Sequence, residues 1–344
     1  MNQPDFVFRG HQAAVNCVHF LVNGRYLLSG DQDGLLIVWN MLLKRQLVKH
    51  STAHTSAILA ISSVDSSTII TQGRDNKLNI WTLDAHEFSG SLKLAQSLDI
   101  ESLNFCRFSI SAHWICGLVA DELGSMFIYN VHTQERHAFS VEHKSATRSG
   151  AHNDQPMCMD ICASEELLQL TVGYESNKLR CFHLQVSNDS VQVTAVCSVQ
   201  TPHTEPLLSI SVDQDAQSIY TCAADNNVCR FKLDGTVLVK AAAAELPHTG
   251  GSLIQCFQTP QVVAVAGWDY AVHLYDHGLQ HLKDVRFHRA ALTAVDVSNK
   301  CTELLPDITD DLIQQRWKMQ PQWMAVASRD SRISLWNVNA VLQP

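Results

Sequence analysis

The 344-residue chain carries little charge, and its few basic residues are not clustered. Charged residues make up 17% of the sequence, the net charge is −9, and no basic run is longer than Lys44-Arg45. A face that binds nucleic acid directly needs clustered lysine and arginine. We therefore expect no direct nucleic-acid partner.

Long apolar segments and an N-terminal targeting signal are also missing. No apolar run approaches the roughly 18–20 residues that cross a membrane, and residues 1–5 lack the charged and apolar regions of a secretory signal. The eleven cysteines are scattered, so we expect reduced thiols rather than a disulfide framework. These absences predict a protein of nucleus and cytoplasm that does not contact a membrane.

What the sequence does contain is a recurring short strand that ends in an aromatic residue, usually just after a tight polar turn. The seven aromatic anchors stand 42 to 61 residues apart and are Trp39, Trp81, Tyr129, Phe182, Phe231, Tyr275 and Trp336. The first repeat begins with Gly10-His11. A repeat of roughly 40–45 residues with a Gly-His start and a Trp-Asp-like end is the signature of WD40 propeller blades.

Seven blades of four strands would use the whole chain, residues 1–344, as one all-β domain. The predicted blades lie near residues 10–50, 53–94, 100–140, 155–197, 202–240, 250–284 and 287–338. The last blade has only three strands of its own, while residues 5–9 form a strand with no blade before it. We predict that this strand pairs into the last blade and closes the ring, because closure removes exposed sheet edges.

Buried hydrogen-bonded sets of His, Ser or Thr, Asp and Trp are expected inside the WD40 blades. Left unpaired, such groups would cost about 1–3 kcal/mol each. The predicted members are His11, Asp33 and Trp39 in blade one, His54, Asp75 and Trp81 in blade two, and His288, Ser328, Asp330 and Trp336 in blade seven. Asp31 and Gly73 stand where blade seven has Ser328, so the first two sets are predicted to be incomplete or differently connected.

A Ser-His-Asp grouping can also indicate a hydrolase triad. A structural role is favoured, because the trio recurs with the blade spacing and no nucleophile elbow accompanies it. Histidines four apart, His50 with His54 and His277 with His281, lack the Glu of a zinc protease, and no glycine-rich phosphate loop occurs. The sequence therefore predicts no enzyme, no cofactor and no metal.

The residue just before each turn Asp should lie on one face of the ring, where WD40 proteins commonly hold partners. On the neighbouring blades six, seven, one and two these residues are Trp268, Arg329, Gln32 and Arg74. Trp and Arg are enriched in binding hot spots, and arginine pairs well with carboxylates. The predicted ligand is an acidic segment; the alternative is that these side chains pair locally at the channel mouth.

Two insertions interrupt the repeat. Residues 132–155 are polar and are predicted to form a loop. Within residues 299–322, Leu312, Ile313 and Trp317 follow two Asp residues at helical spacing. This second insertion is either a further docking element or a loop that packs on its own blade.

Longer segments resemble one particular WD40 family. They are residues 72–78, Trp81, residues 101–107, 156–158, 173–175, 266–269, 287–288 and 328–336. They are similar to guanine nucleotide-binding protein subunit beta-like protein 1 and to the fungal ASTRA-associated protein 1, over essentially the whole chain. The resemblance implies a non-catalytic scaffold or adaptor of the ASTRA assembly, which is involved in chromatin remodelling. It also implies a monomer within a larger complex, linked to the Tel2–Tti1–Tti2 co-chaperone that matures phosphatidylinositol-3-kinase-related kinases.

Two other functions are alternatives. A heterotrimeric G-protein β subunit carries a long N-terminal helix for its γ partner, but no heptads precede Phe6. A substrate receptor of a ubiquitin ligase usually carries a Trp-Asp-x-Arg signal. The third-strand tryptophans of this chain are instead followed by Asn40, Thr82 and Asn337.

Overall fold

A computed structural model describes residues 3–21, 24–85, 89–100, 106–119, 125–141, 154–163, 168–187, 190–213, 217–298, 315–316 and 319–343. These residues form seven four-stranded sheets, which confirms the predicted all-β fold. Leu312, Ile313 and Trp317, and residues 142–153 of the other insertion, lie outside the described residues. Within the described part of the chain, no helix is long and apolar enough to cross a membrane.

The strands follow one another along the chain, and the sheets are numbered in the same order. Ahead of the first sheet lies β1 (Phe6–Arg9). The first sheet contains β2 (Val15–Leu21), β3 (Tyr26–Asp31), β4 (Leu36–Asn40) and β5 (Arg45–His50). The second sheet contains β6 (Ile58–Ser63), β7 (Thr68–Gly73), β8 (Lys77–Ala85) and β9 (Gly90–Asp99).

The third, fourth and fifth sheets have the same order. The third contains β10 (Ser109–Ser111), β11 (Trp114–Leu118), β12 (Ser125–Asn130) and β13 (Arg136–Ser140). The fourth contains β14 (Pro156–Ala163), β15 (Leu168–Tyr174), β16 (Lys178–Val186) and β17 (Val191–Gln200). The fifth contains β18 (Leu207–Asp213), β19 (Ser218–Ala223), β20 (Asn227–Asp234) and β21 (Val237–Glu245).

The sixth sheet contains β22 (Gly251–Phe257), β23 (Val262–Gly267), β24 (Ala271–Tyr275) and β25 (His281–Arg286). The seventh contains β26 (Leu292–Val297), β27 (Trp323–Ser328) and β28 (Arg332–Asn337), and a short helix α1 (Val338–Leu342) follows. Two compact units divide the chain: unit 1 is Met1–Leu98 with Phe257–Pro344, and unit 2 is Asp99–Cys256. The predicted single domain over residues 1–344 stays a prediction.

The middle strands of the sheets are covered on both faces. Every residue of β3, β4, β23, β24 and β27 is buried. Outer strands such as β9 and β21 instead alternate between half-buried and exposed residues over most of their length. Two-sided burial explains why the middle strands are continuous apolar runs in the sequence, whereas the outer strands contain many polar residues.

The N-terminal strand is the outer strand of the seventh sheet. β1 pairs antiparallel with β28, from Phe6 opposite Leu335 to Arg9 opposite Arg332, and the sheet order is β1-β28-β27-β26. The predicted pairing of residues 5–9 into the last blade is thus observed for β1. Closure of the whole ring stays a prediction.

Side chains of the first strands connect successive sheets within each unit. In unit 1, Asp296 of β26 accepts a 2.7 Å hydrogen bond from the backbone N–H of Phe20 in β2. In unit 2, Asp160 of β14 accepts one of 2.8 Å from the N–H of Val212 in β18. These bonds hold first strands of different sheets in a fixed register.

One of these connecting groups, Asp160, has a shifted pKa. Its second carboxylate oxygen accepts a 2.8 Å hydrogen bond from the Ser109 hydroxyl. Burial raises the pKa of Asp160 from 3.8 to about 6, although the hydrogen bonds act to lower it. A raised folded-state pKa means that the charged carboxylate destabilises the fold once the pH rises above the unfolded-state pKa.

We expect Asp160→Asn to change how stability depends on pH. Wild-type protein should lose about 1–3 kcal/mol of unfolding free energy from this group between pH 4 and pH 7, because the folded-state pKa lies about two units above the unfolded one. The Asn variant lacks this loss, so its stability relative to wild type should rise over the same range. Urea unfolding at several pH values measures the difference in unfolding free energy between the variant and wild type. The contributions of titratable groups that both proteins share cancel in this difference. The exposed Asp33→Asn change is the control, and a pH-independent difference for Asp160→Asn would contradict the expectation.

Candidate interaction surface

A buried histidine network joins the loop before β2 to β3 and β4. His11 Nδ1 lies 2.7 Å from Asp31 Oδ2, and His11 Nε2 lies 2.7 Å from Ser29 Oγ. Trp39 Nε1 donates to Ser29 Oγ at 2.8 Å. Asp31 is 1% exposed, and its Oδ1 accepts two backbone N–H groups of the following turn. One carboxylate therefore fixes both the histidine and the turn.

The assignment of Asp33 to this network is wrong. Its side chain is exposed, and its backbone N–H donates to Asp31. In the second sheet the corresponding acid, Asp75, stands two positions later in the turn, and Gly73 occupies the place of Asp31. A Cβ at Gly73 would collide with the His54 ring and the Asp75 carboxylate. Two arrangements thus place one carboxylate beside the histidine. The first sheet has an Asp as the last residue of its second strand, whereas the second sheet has a Gly there and an Asp two positions later.

The network of the second sheet is complete and differently connected, which is the second of the two predicted alternatives. His54 Nδ1 lies 2.9 Å from Asp75 Oδ1, and His54 Nε2 lies 2.7 Å from Thr71 Oγ1. Trp81 Nε1 donates to Thr71 Oγ1 at 2.9 Å. Thr71 stands ten positions before Trp81, as Ser29 does before its own tryptophan. Burial lowers the pKa of His54 below its ordinary value, so the ring is neutral at neutral pH.

The seventh sheet builds the same network with a hydroxyl from a different strand. His288 Nδ1 lies 3.0 Å from Asp330 Oδ2, and His288 Nε2 lies 2.8 Å from Ser334 Oγ. Trp336 Nε1 donates to Ser334 Oγ at 2.8 Å. Hydrogen bonds, chiefly from His288, hold the pKa of Asp330 below its ordinary value although burial acts to raise it.

The assignment of Ser328 as the hydroxyl partner of His288 is therefore wrong. The Ser328 hydroxyl accepts the backbone N–H of Asp330 and donates to a loop carbonyl. The position ten before the tryptophan is Val326, which has no hydroxyl. Ser334 lies directly opposite Val326 in the β27–β28 pair and supplies the hydroxyl from across the ladder.

The fifth sheet contains a histidine network that the sequence analysis did not identify. His203 Nδ1 lies 3.0 Å from Asp225 Oδ1, and His203 Nε2 lies 2.9 Å from Thr221 Oγ1. Phe231 stands at the tryptophan position, so the chain of bonds ends at the threonine. The sequence contains a signal for this network, because Thr221 stands ten positions before Phe231. The hydroxyl residue and the tryptophan have the same spacing in the first two sheets.

The histidines considered for metal binding and the serines found in the histidine networks have other contacts. His277 Nε2 bonds to the carbonyl of Phe257 at 3.0 Å, and His281 Nε2 bonds to Asp284 Oδ1 at 2.8 Å. Ser29 and Ser334 are completely buried. A buried hydroxyl that accepts a tryptophan N–H is a structural group, since a nucleophile must be accessible to its substrate.

The sixth sheet has a different network, centred on Asp269. His273 of β24 approaches Asp269 Oδ1 with Nε2 at 3.0 Å and Asp284 Oδ1 with Nδ1 at 2.8 Å. Arg286 Nη2 donates to Asp269 Oδ2 at 2.9 Å, and Nη1 donates to the Asp269 carbonyl at 3.1 Å. The turn between β23 and β24 is therefore held from both sides.

The four predicted partner-binding residues occupy equivalent turn positions in unit 1. Gln32, Arg74 and Arg329 each follow the second strand of their sheet, and all three side chains are exposed. Each backbone N–H bonds to the carbonyl of an alanine just ahead of its first strand, at 2.9, 2.8 and 3.0 Å respectively. These bonds hold the backbone of the three turns in place.

Trp268 occupies the corresponding turn of the sixth sheet and is 43% exposed. Contacts of β23 with β26, of β26 with β2, and of β2 with β6 place the sixth, seventh, first and second sheets in a row. Asn16 Nδ2 donates to the carbonyl of Ile58 at 3.1 Å, and Thr293 Oγ1 donates to that of Val15. These bonds bring equivalent positions of neighbouring first strands next to each other. We call Trp268, Arg329, Gln32 and Arg74 the turn row; that it binds a partner stays a prediction.

A cavity in unit 2 is a second candidate. It has a volume of about 200 Å³ and is lined by residues of β10, β14, β18 and β22, among them Ser109, Asp160 and Ser211. Sites for small molecules generally measure about 300–1,000 Å³ and are mostly apolar. The cavity is smaller than that, and Asp160 and Ser211 already bond to neighbouring strands. The turn row is therefore the better candidate.

Comparison with known proteins agrees with this architecture. The β-propeller domain of Cps50 (Swd1) from Myceliophteria thermophila is similar in structure, with a TM-score of 0.73 and 11% identity, over 98% of this chain and 100% of that one. The fold is thus a β-propeller in which the seven sheets are the blades. ASTRA-associated protein 1 of Verticillium alfalfae is 24% identical over 97% of this chain and 92% of its own length.

Guanine nucleotide-binding protein subunit beta-like protein 1 of Mus musculus is 23% identical, over 97% of this chain and 96% of its own length. The family model described as ASTRA-associated protein 1 matches residues 4–330. The chain therefore belongs to the ASTRA-associated protein 1 family.

Proposed function

We propose that this protein is a scaffold whose turn row binds protein partners within an ASTRA assembly. Support for the assembly comes from the names of its relatives and from the family match. The observation that carries the binding role is the exposure of Gln32, Arg74 and Arg329 on equivalent, backbone-fixed turns. We further propose that the scaffold serves chromatin remodelling and works with the Tel2–Tti1–Tti2 co-chaperone on phosphatidylinositol-3-kinase-related kinases, in nucleus and cytoplasm.

The chemistry of the turn row favours an acidic partner segment. The whole chain has a net charge of −9, yet two of the four residues in the row are arginines and none is acidic. A guanidinium group pairs with a carboxylate through two parallel hydrogen bonds, which gives orientation as well as affinity. Trp268 adds apolar area of the kind that dominates binding hot spots.

Charge reversal in the turn row tests this proposal. Tagged wild-type protein should recover ASTRA subunits and the Tel2–Tti1–Tti2 co-chaperone by affinity purification with mass spectrometry. The double variant Arg74→Glu/Arg329→Glu should recover them at least about fivefold less, since two favourable charge contacts become repulsive. The matched control is Arg9→Glu/Arg45→Glu, which makes the same charge change at exposed positions of the outer strands β1 and β5.

Melting of each variant separates binding from folding. Loss of folding in Arg74→Glu/Arg329→Glu would favour local pairing of these side chains, and undiminished recovery would contradict the turn row as the binding surface. Recovery of a G-protein γ subunit, or of ubiquitin-ligase subunits, in place of the expected partners would overturn the proposed assembly.

A further inference from the structure

One turn of unit 1 places a large aromatic residue in a backbone conformation that large side chains rarely adopt. Tyr270 has φ +70° and stands five positions before the aromatic anchor of the sixth sheet. The same position holds Gly34, Asn76, Asn177 and Ser331 in other sheets, with φ values of 82°, 61°, 65° and 64°. Glycine and asparagine tolerate the left-handed region, whereas a bulky residue there is strained.

Burial does not compensate for this strain. Tyr270 is 48% exposed, and Trp268, two residues earlier, is 43% exposed. Exposed aromatic side chains gain little from the hydrophobic effect in the isolated protein. A strained residue that the fold covers only in part points to a role in function.

Several hydrogen bonds hold the turn that carries the two rings. Asp269 lies between them in sequence, and its carboxylate contacts His273 at 3.0 Å and Arg286 at 2.9 Å. Arg286 also donates to the Asp269 carbonyl at 3.1 Å. A surface that is already ordered loses less entropy when a partner binds.

Positive charge lies at the same end of the adjacent seventh sheet. β23 and β24 both contact β26. Arg289, just before β26, and Arg329, just after β27, are exposed, and the backbone N–H of Arg289 bonds to Asp330 at 3.2 Å. Two exposed arginines thus stand on hydrogen-bonded backbone at the same end of the neighbouring sheet as the aromatic turn, and the charge of their guanidinium groups complements carboxylates.

We propose that Trp268 and Tyr270 form the anchor point of a docking site for an acidic segment of a partner protein. An apolar side chain of that segment packs against the two rings, and flanking carboxylates pair with Arg289 and Arg329. This inference rests on the proposed scaffold function and names the residues and the partner chemistry of its binding surface. Tyr270 was not among the residues that the sequence indicated.

The variant Tyr270→Asn tests the proposal because binding and stability should change in opposite directions. Asn occupies the same position in the second and fourth sheets, so the variant relieves strain and its melting temperature should be equal to or above that of wild type. A phage library of random 12-residue peptides, selected on the wild-type protein, supplies the probe. We expect enriched peptides to combine Asp or Glu with a large apolar residue.

The best peptide, labelled with fluorescein, should bind the wild type at least tenfold more tightly than Tyr270→Asn or Trp268→Ala. Arg289→Glu/Arg329→Glu should weaken binding and reduce its salt dependence. The control is Leu94→Asn, which changes another exposed apolar residue, 52% exposed on the outer strand β9, and should leave the affinity unchanged.

Several outcomes would overturn the inference. They are a library that yields no acidic peptide, equal affinity of the peptide for wild type and Tyr270→Asn, and a lower melting temperature of Tyr270→Asn, which would show that Tyr270 supports the fold. The scaffold proposal fails separately. If wild-type protein recovers the assembly but the peptide results are negative, the scaffold binds its partners through another surface. If the peptide results are positive but the assembly is not recovered, the docking site is supported and the proposed assembly is wrong.

Discussion

Replacing Asp31 by alanine should lower the free energy of unfolding by about 3–5 kcal/mol, whereas Asp33→Ala, in the same turn, should lower it by less than about 0.5 kcal/mol. The Asp31 carboxylate is 1% exposed and accepts hydrogen bonds from His11 and from two backbone N–H groups. Its removal leaves the buried His11 ring and two partly buried turn N–H groups without their acceptor, and an unsatisfied buried donor costs about 1–3 kcal/mol. Asp33 contributes only its backbone N–H to this network, and alanine retains it.

Guanidinium chloride unfolding of the two variants measures this difference directly. The pair is well matched, because both changes remove one carboxylate from the β3–β4 turn and alter the net charge equally. Asp31→Asn keeps one acceptor oxygen and should fall between Asp31→Ala and wild type. Equal losses for the two alanine variants would restore Asp33 to the network and contradict the observed geometry.

The repeat of aromatic anchors was sufficient to predict the seven sheets. Each anchor lies in the third strand of its sheet, and a polar turn precedes that strand in most of the sheets, so the spacing along the chain reports the architecture directly. Phe182 and Phe231 show that the anchor need not be tryptophan, because the position is buried and any large aromatic side chain fills it. The apolar runs between the turns predicted the middle strands for the same reason.

The members of the histidine networks could not be predicted as reliably, because strand pairing decides them. The side chain of Thr71 meets His54 since it lies on the face of β7 that Trp81 covers. Ser334 replaces the missing hydroxyl of Val326 only because the two residues face each other across a ladder. Such a substitution between strands leaves no fixed spacing in the sequence.

Side-chain direction at the end of a strand explains the error at Asp33. The spacing of Asp75 and Asp330 from their tryptophans is six positions, and Asp33 has the same spacing from Trp39. In the first sheet, however, the last residue of β3 is itself an Asp, and it reaches the histidine first. The strain at Tyr270 could not be predicted from the sequence for a related reason, since the backbone angle φ is a property of the folded turn.

Removing residues 1–9 should have the largest effect of any change considered, because it deletes an entire strand of the seventh sheet. β1 pairs with β28 over four residues. Phe8 is 2% exposed, and its ring lies 4.8 Å from that of Trp39 in the first sheet. The deletion therefore uncovers both the edge of β28 and the buried face of Trp39, and the melting temperature should fall substantially.

Single substitutions separate the two contributions of β1. Phe8→Ala retains the strand but removes a buried ring, which should cost about 3–5 kcal/mol and lower the melting temperature by about 4–7 °C. Arg9→Ala changes an exposed side chain of the same strand and should melt like wild type. An uncovered β28 also presents unpaired backbone groups, so the deleted protein should associate at concentrations where wild type does not. Circular dichroism and light scattering measure the two effects, and a deletion variant that melts like wild type would show that β1 does not stabilise the seventh sheet.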